Sequence, residues 1–400
     1  MPKFLGKVEF PVTIELGRGL EGAITNITKI GYVDGEAGHL NYRGYPIEGL
    51  CEHGNYSEIA YLLMFGKLPN RAEQDAFSAK LQAGAPLPPA VVKVIDALPK
   101  DANPMNALQA AVAAAGCVDR EAGMVATHAS DPASSIETET NVGIRVLSVT
   151  RTAAAYIARS REGKPIVTPD SSLSFAANYY YMMTGQKPDA ITTKVMDVLL
   201  ILQADHGMNA STFAAMIVHS SMSDMYSTVA AAIGSLRGPL HGAANQAALD
   251  DLLTVGGPEN AKAWVEDRMA KGQKVMGFGH RVYKAYDPRA TVLKRYAEQL
   301  CKQRGMEKIY QTAAAIEEHV LAAMKQAGKP IFPNVDFYSG VVYHVLGFAA
   351  PFFPVIFAVG RTAGWVSRVL EYLPENRLFR PRAVYNGDTD LKYTPMSDRK

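Results

Sequence analysis

Apolar residues along this chain fall mostly in helix-length runs bounded by capping residues, and only near the N-terminus do they alternate singly. The segment 70–84 shows the pattern. Asn70 can cap, Glu73 stands three residues on as its capping-box partner, and Gly84 is placed to close the helix in the left-handed conformation. Asn103-Pro104 opens an alanine-rich stretch that runs to Gly116, with the proline in the first turn, where its missing N–H costs nothing. The same punctuation predicts a dozen or more helices, with later starts near Glu139, Ser171, Asp189, Asn209 and Asp224 and stops at Gly163, Gly185 and Gly238. Strand signals are confined to the first fifty residues, where 12–16 and 30–35 alternate and turn as short hairpins do. Residues 40–45 follow as a polar and aromatic patch of exposed character. The expectation is an all-α fold with a few short N-terminal β-strands.

One stretch, 341–360, is apolar over the length a bilayer crossing needs, but His344, Pro351 and Pro354 interrupt it. Proline breaks a continuous helix, so this segment is expected to be a buried helix, a turn and a second buried helix, with no membrane span. No period of 20 to 50 residues recurs, which argues against a repeat solenoid. Glycine and proline cluster at 256–258, 272–279 and 328–333. They suggest a large helical domain over 1–242, a smaller helical unit over 243–349, and a return to the large domain with a C-terminal arm over 350–400.

Composition narrows the classes further. With 48% hydrophobic and 20% charged residues, a chain of this length buries a large core. Lys+Arg 41 against Asp+Glu 39 leaves a net charge of +2, so no broad basic surface for nucleic acid is implied. The 3 cysteines, Cys51, Cys117 and Cys301, lie far apart and outside zinc or redox spacings, which fits a reducing cytoplasm and no metal centre. The first residues lack the apolar core of a signal peptide.

Three short stretches carry acid–base side chains on irregular backbone: Gly238-Pro239-Leu240-His241-Gly242, Gly277-Phe278-Gly279-His280-Arg281-Val282-Tyr283-Lys284 and Asn334-Val335-Asp336. His241 stands just before a helix beginning near Gly242, whose positive dipole end disfavours imidazolium and keeps the ring a neutral hydrogen-bond donor. His280 follows a glycine-rich loop able to approach a ligand closely, and Asp287-Pro288-Arg289 opens the next helix with an arginine near its N-terminus. A fourth histidine, His206, lies at a helix junction in Asp205-His206-Gly207-Met208. Arg361 and Arg380 sit beside glycine, tryptophan or proline, and converging arginines suit a substrate with more than one carboxylate. Each residue alone has a plain structural alternative: a capping histidine, an N-cap aspartate at Asp336, a surface arginine.

Together these motifs, in order and spacing, resemble the citrate synthases, and the resemblance runs from residue 40 to about residue 381, with the short bacterial and archaeal type the nearest match. It implies a two-domain helical fold in which Asp336 removes a proton from acetyl-CoA. His241 would stabilise the enol(ate), and His280 would polarise the oxaloacetate carbonyl. It further implies that His206, Arg289 and Arg361 hold the oxaloacetate carboxylates, with Arg380 donated by a partner subunit in a homodimer or larger assembly. Val275, Met276, Gly277, Phe278 and Gly279 would meet CoA, with Lys284 near its phosphates. Acetyl-CoA is a co-substrate, and no cofactor or metal is implied. The alternatives are a 2-methylcitrate synthase using propionyl-CoA and, from another class, a non-catalytic helical scaffold.

Overall fold

The computed structural model describes residues 18–20, 22–242, 244–280, 282–385 and 387–399. A small antiparallel sheet comes first: β1 (Gly31–Asp34), β2 (His39–Tyr42) and β3 (Tyr45–Pro46), in the order β1-β2-β3. Its register pairs Gly31 with Tyr42 and Asp34 with His39. The strand expected over 12–16 lies outside the described residues. The patch at 40–45 is not exposed throughout, because Leu40 and Tyr42 are buried. The Tyr42 hydroxyl donates to the carbonyls of Ile201 (3.0 Å) and Asp205 (2.8 Å), so it closes the end of a core helix instead of facing solvent.

After the sheet the named elements among the described residues are α-helices and short 3-10 turns, with one isolated β-bridge between Phe278 and Pro333. The first half contains α1 (Ile47–His53), α2 (Tyr56–Phe65), α3 (Arg71–Ala83), α4 (Pro89–Ala97), α5 (Pro104–Gly116), α6 (Ile136–Arg161), α7 (Phe175–Thr184) and α8 (Ala190–Gln203). There follow α9 (Ala210–Ser220), α10 (Met225–Leu236), α11 (Ala244–Val255), α12 (Ala261–Ala270), α13 (Pro288–Arg304), α14 (Glu307–Gln326), α15 (Val335–Val345) and α16 (Phe353–Tyr372).

Local chemistry explains most starts. Asn70 and Glu73 form the reciprocal capping box, Asn103 caps α5, and Asp189, Asn209 and Asp224 cap α8, α9 and α10 through their side chains. Three expectations are corrected. Gly84 ends α3 in right-handed geometry (φ −81, ψ −4). Its Cβ position lies 3.2 Å from Ser148 Cβ on α6, so small size matters there and handedness does not. Helix α6 begins at Ile136, three residues before Glu139, because a 3-10 turn over Pro132–Ser135 leads directly into it. Helix α7 starts at Phe175 with Ser174 as its cap, since Asp170 holds the preceding residues in a turn by accepting from the Ser172 amide and hydroxyl.

The core is organised around α16, which is buried on nearly every face and packs against α2, α6, α8, α9 and α10. A helix that is apolar all round belongs at the centre of a large body. The apolar run 341–360 resolves as expected into the end of α15, a turn through Gly347 and the start of α16, with Pro354 in its first turn. No described helix is long and apolar enough to cross a membrane. Helices α11 to α15 pack on one another, and α13 also rests on α1 and α8.

Candidate active site

The site begins where α8 stops. Asp205 is fully buried and pairs with Arg368 of α16 through two bonds, Nε to Oδ1 at 3.0 Å and Nη2 to Oδ2 at 2.7 Å. That planar pairing fixes the junction and points the chain toward His206. Close approach of α16 is possible because residue 364 is glycine: a Cβ there would lie 2.0 Å from the Ala204 carbonyl oxygen. Asn209 then caps α9, accepting from the Thr212 amide at 3.1 Å and the Ser211 hydroxyl at 2.8 Å.

His241 docks onto this cap. Its Nε2 accepts from the Ser211 amide at 3.2 Å and lies 2.8 Å from the Ser211 hydroxyl, whose oxygen accepts from the Trp365 indole at 3.2 Å and whose one hydrogen lies between Nε2 and Asn209 Oδ1. A backbone N–H can only donate, so Nε2 is unprotonated and the neutral ring carries its hydrogen on Nδ1. Burial, with the Arg361 charge adding, pulls the imidazole down to about 4. The ring is therefore the neutral donor expected from the sequence. The expected helix follows as α11 from Ala244, and the helix N-terminus whose amide bonds to Nε2 belongs to α9.

His280 has the opposite tautomer. Its Nδ1 accepts from the amides of Val282 (2.9 Å) and Tyr283 (3.1 Å), which puts the ring hydrogen on Nε2, a nitrogen 3.5 Å from Arg289 Nη2. Burial first, then Arg289, holds it down to about 4. Tyr283 also places its hydroxyl 3.1 Å from His206 Nε2, and the His206 and His280 rings stand 5.4 Å apart. Burial and the charges of Arg289 and Arg361 keep His206 well below its ordinary value. Arg281, next to His280 in sequence, lies outside the described residues.

Arg289 and Arg361 make a contrasting pair. Arg289, in the first turn of α13, is buried and held by the cap residue Asp287 through Nε–Oδ1 at 3.0 Å and Nη2–Oδ2 at 2.8 Å. Burial alone would lower its pKa, but Asp287 pushes it up. Arg361 is equally buried, donates to the Gln203 carbonyl, lies over the Phe357 ring at 4.7 Å, and has no carboxylate within ion-pair distance among the described residues. Burial lowers it to about 10, still charged at neutral pH.

Asp336 is not the cap of α15: Asn334 is, accepting from the Asp336 amide at 2.9 Å. Asp336 instead occupies the first turn, with its carboxylate unused by any described donor. Burial pushes it up to about 6, Asp287 adding and Arg289 opposing. The glycine-rich loop holds this helix start in place. Gly277 O accepts from the Asn334 amide, the Gly279 amide donates to Phe332 O, and Asn334 Nδ2 donates to Gly279 O, each at 2.9 Å.

These groups meet in a cavity of about 480 Å³ lined by His206, His241, Gly279, His280, Arg289, Asp336 and Arg361, with Phe357, Leu240 and Val282 among its apolar walls. The N-termini of α9, α13 and α15 all reach it, so three positive dipole ends face one space beside two arginines. Of the loop residues expected to meet CoA, only Gly279 lines this cavity. Val275 is buried, Met276 bonds its amide to Asp251, and Phe278 packs on Phe337 at 4.8 Å. Lys284 lies at the surface, paired with Glu36 on the β1–β2 turn. Arg380 is exposed on the segment after α16 and does not reach the cavity of its own chain. Sequence reasoning missed Ser211, Tyr283 and the Arg289-holding role of Asp287. Only Asp287 carried a signal, its place as a cap beside Pro288.

A helical body with a weakly acidic carboxyl, two neutral imidazoles and two buried arginines around one cavity suits proton transfer beside an anionic ligand. The comparisons agree. The family model "Citrate synthase, C-terminal domain" matches residues 19–382. The citrate synthase of Haloferax volcanii is 42% identical over 96% of this chain and 99% of its own, and that of Deinococcus radiodurans 40% over 96% and 99%. Among solved structures, citrate synthase from Pyrobaculum aerophilum superposes with a TM-score of 0.91 at 42% identity, covering 96% of this chain and 95% of its own. The ternary complex of carboxymethyl coenzyme A and oxaloacetate with the Thermoplasma acidophilum enzyme gives 0.85 at 34%, covering 97% and 100%. The chain belongs to the citrate synthase family, and it is an acyltransferase.

Proposed function

We propose that this chain condenses acetyl-CoA with oxaloacetate and releases citrate and CoA, with Asp336, His241 and His280 carrying the chemistry. A thioester methyl is a very weak acid, so a carboxylate can remove its proton only where the resulting charge is met at once. Asp336, raised to about 6, is a stronger base than an ordinary aspartate near ~3.9. The methyl C–H pair moves into the enol(ate), and the thioester oxygen receives a hydrogen bond from His241 Nδ1. The enol(ate) carbon attacks the oxaloacetate ketone, whose oxygen gains a proton from the His280 side as the C–C bond forms. Water then cleaves the thioester of citryl-CoA, leaving the new carboxylate and the CoA thiol.

Arg289, Arg361 and His206 hold the two oxaloacetate carboxylates in this reading, and Arg380 completes the site of a partner subunit. Residues 275–279 and Lys284 meet CoA as the 243–349 unit closes over bound oxaloacetate, which excludes water from the enolate. No metal or cofactor is used, and the setting is cytoplasmic. The observation that carries the proposal is the pair of opposite tautomers. Backbone amides occupy one ring nitrogen of each histidine and leave the ring hydrogen on the other, in a cavity that also holds the raised carboxyl. The test is thiol release from acetyl-CoA that depends on oxaloacetate. His241→Ala is expected to lower kcat by roughly 10²- to 10³-fold, as for other lost oxyanion donors. Full activity in that variant would refute the assignment.

A further inference from the structure

A second polar cavity, of about 460 Å³, lies among α2, α3, α6, α7 and α8 and shares no lining residue with the active site. Its charged centre is Arg151 of α6, which is only 2% exposed. Within the described residues Arg151 has no carboxylate partner: its one hydrogen bond is long, Nη1 to the Phe175 carbonyl at 3.5 Å, and Nε and Nη2 have no acceptor at all. It rests over the Phe175 ring at 4.3 Å. A guanidinium buried in this way is costly unless an anion meets it.

The rest of the wall suits an oxyanion. Ser174 and Phe175 are the cap and first residue of α7, so the positive end of that 10-residue helix faces the same space. Of the hydroxyls on the wall, Ser57 and Ser172 donate to Asn55 and Asp170, and Ser78 keeps its hydrogen for a ligand. Gln74 keeps Oε1 buried without a donor while its Nε2 is spent on Ser57 and Ser78, so it offers an acceptor for a ligand hydroxyl and nothing to the oxyanion itself. Two acids line the cavity. Asp75 is paired with Arg71 at 3.0 Å, and Asp197 accepts from the Tyr56 amide at 2.8 Å. Burial pushes the Asp197 carboxyl up to about 7, so it is not a fully charged competitor at neutral pH.

We propose that this cavity binds a small phosphate-bearing anion, inorganic phosphate or a phosphomonoester, against Arg151. The volume exceeds what phosphate alone needs, and the hydroxyl-rich wall fits a short polyol on the ester side.

Calorimetric titration of the full-length protein with sodium phosphate, and separately with glycerol 3-phosphate, tests this, using sodium chloride of equal ionic strength as the blank. One site per chain is expected, with Kd unchanged within about twofold when oxaloacetate occupies the active site. Arg151→Met should weaken binding at least ~10-fold, the loss of one charge-assisted bidentate contact. Gln74→Glu, on a half-exposed helix that tolerates the isosteric change, should do the same by placing a fixed negative charge in the wall, and it decides the matter if the Arg151 variant fails to fold. Tighter binding of glycerol 3-phosphate than of phosphate identifies the ester as the ligand class, and equal or weaker binding identifies the free anion. The proposal is overturned by no heat above the chloride blank, by binding abolished with oxaloacetate, or by variants that bind as the parent does.

Discussion

At the residue scale, reactivity is set by which side-chain atoms the backbone occupies. The Ser211 amide takes His241 Nε2, and the Val282 and Tyr283 amides take His280 Nδ1. Neither ring can turn its acceptor face to substrate without losing those bonds. Asp336→Asn keeps the shape and removes the base, and kcat should fall by about 10²- to 10⁴-fold with little change in the KM for oxaloacetate, measured by steady-state kinetics. The pH profile follows from the same groups. Asp336 must be ionised and titrates near 6, while His241 and His280 stay neutral down to about 4. The kcat/KM profile should therefore bend near pH 6 and fall tenfold per unit below it, whereas an acid limb near 4 would show that Asp336 is not the base. The sequence already marked these residue types and their settings. It did not reveal that His241 also docks on the N-terminus of α9, and it left the cap role of Asp336 open, because a cap is decided by backbone angles and a docking contact by which chain segment lies nearby.

At the element scale, the site is an arrangement of helix beginnings. Asn209, Asp287 and Asn334 each cap a helix whose first turn reaches the cavity, and all three caps precede a residue that serves the site. The loop before His280 works as a brace for α15. Gly277 has φ 81, and a Cβ there would sit 2.8 Å from Phe337 Cβ and 2.9 Å from its Cα. Gly277→Ala must therefore push α15, and with it Asp336. A drop of at least ~10-fold in kcat is expected, with a lowered Tm from a left-handed alanine costing about 1–3 kcal/mol. A variant with unchanged kcat and Tm would show that the loop does not hold the helix. Helix starts were legible from capping residues at Asn70, Asn103, Asp189, Asn209 and Asp224. They were misplaced at Glu139 and Ser171, where a 3-10 entry and an aspartate turn override the nearest candidate cap.

At the scale of the whole molecule, the exposed position of Arg380 leads to a prediction about assembly. If each site takes Arg380 from the other subunit, co-expressing Asp336→Asn and Arg380→Ala chains gives mixed dimers with one fully intact site. Random mixing should restore about a quarter of the parent's specific activity, against near zero for either variant alone. If Arg380 acts within its own chain, no restoration occurs. Acyl selectivity belongs to this scale too, since it depends on how tightly the closed cavity fits. Acetyl-CoA should exceed propionyl-CoA in kcat/KM by roughly 10- to 200-fold, the range one methylene supplies in an apolar pocket. Competing-substrate assays would show the opposite if the pocket had room for the larger group.

Capping signals and apolar runs act over a few residues, so the sequence by itself determined the all-α class, the helix–turn–helix nature of 341–360, most helix starts and the motifs that mark the family. Tertiary structure alone decided the rest: that Tyr42 is buried beneath the end of α8, that Asp205 pairs with Arg368, that Arg289 has a carboxylate partner while Arg361 has none among the described residues, and that Lys284 pairs with Glu36. These partners are separated by up to hundreds of residues or compete among several acceptors. Burial, which shifts Asp336 upward and the three histidines of the site downward, is a property of the space around a group and exists only once the helices have packed.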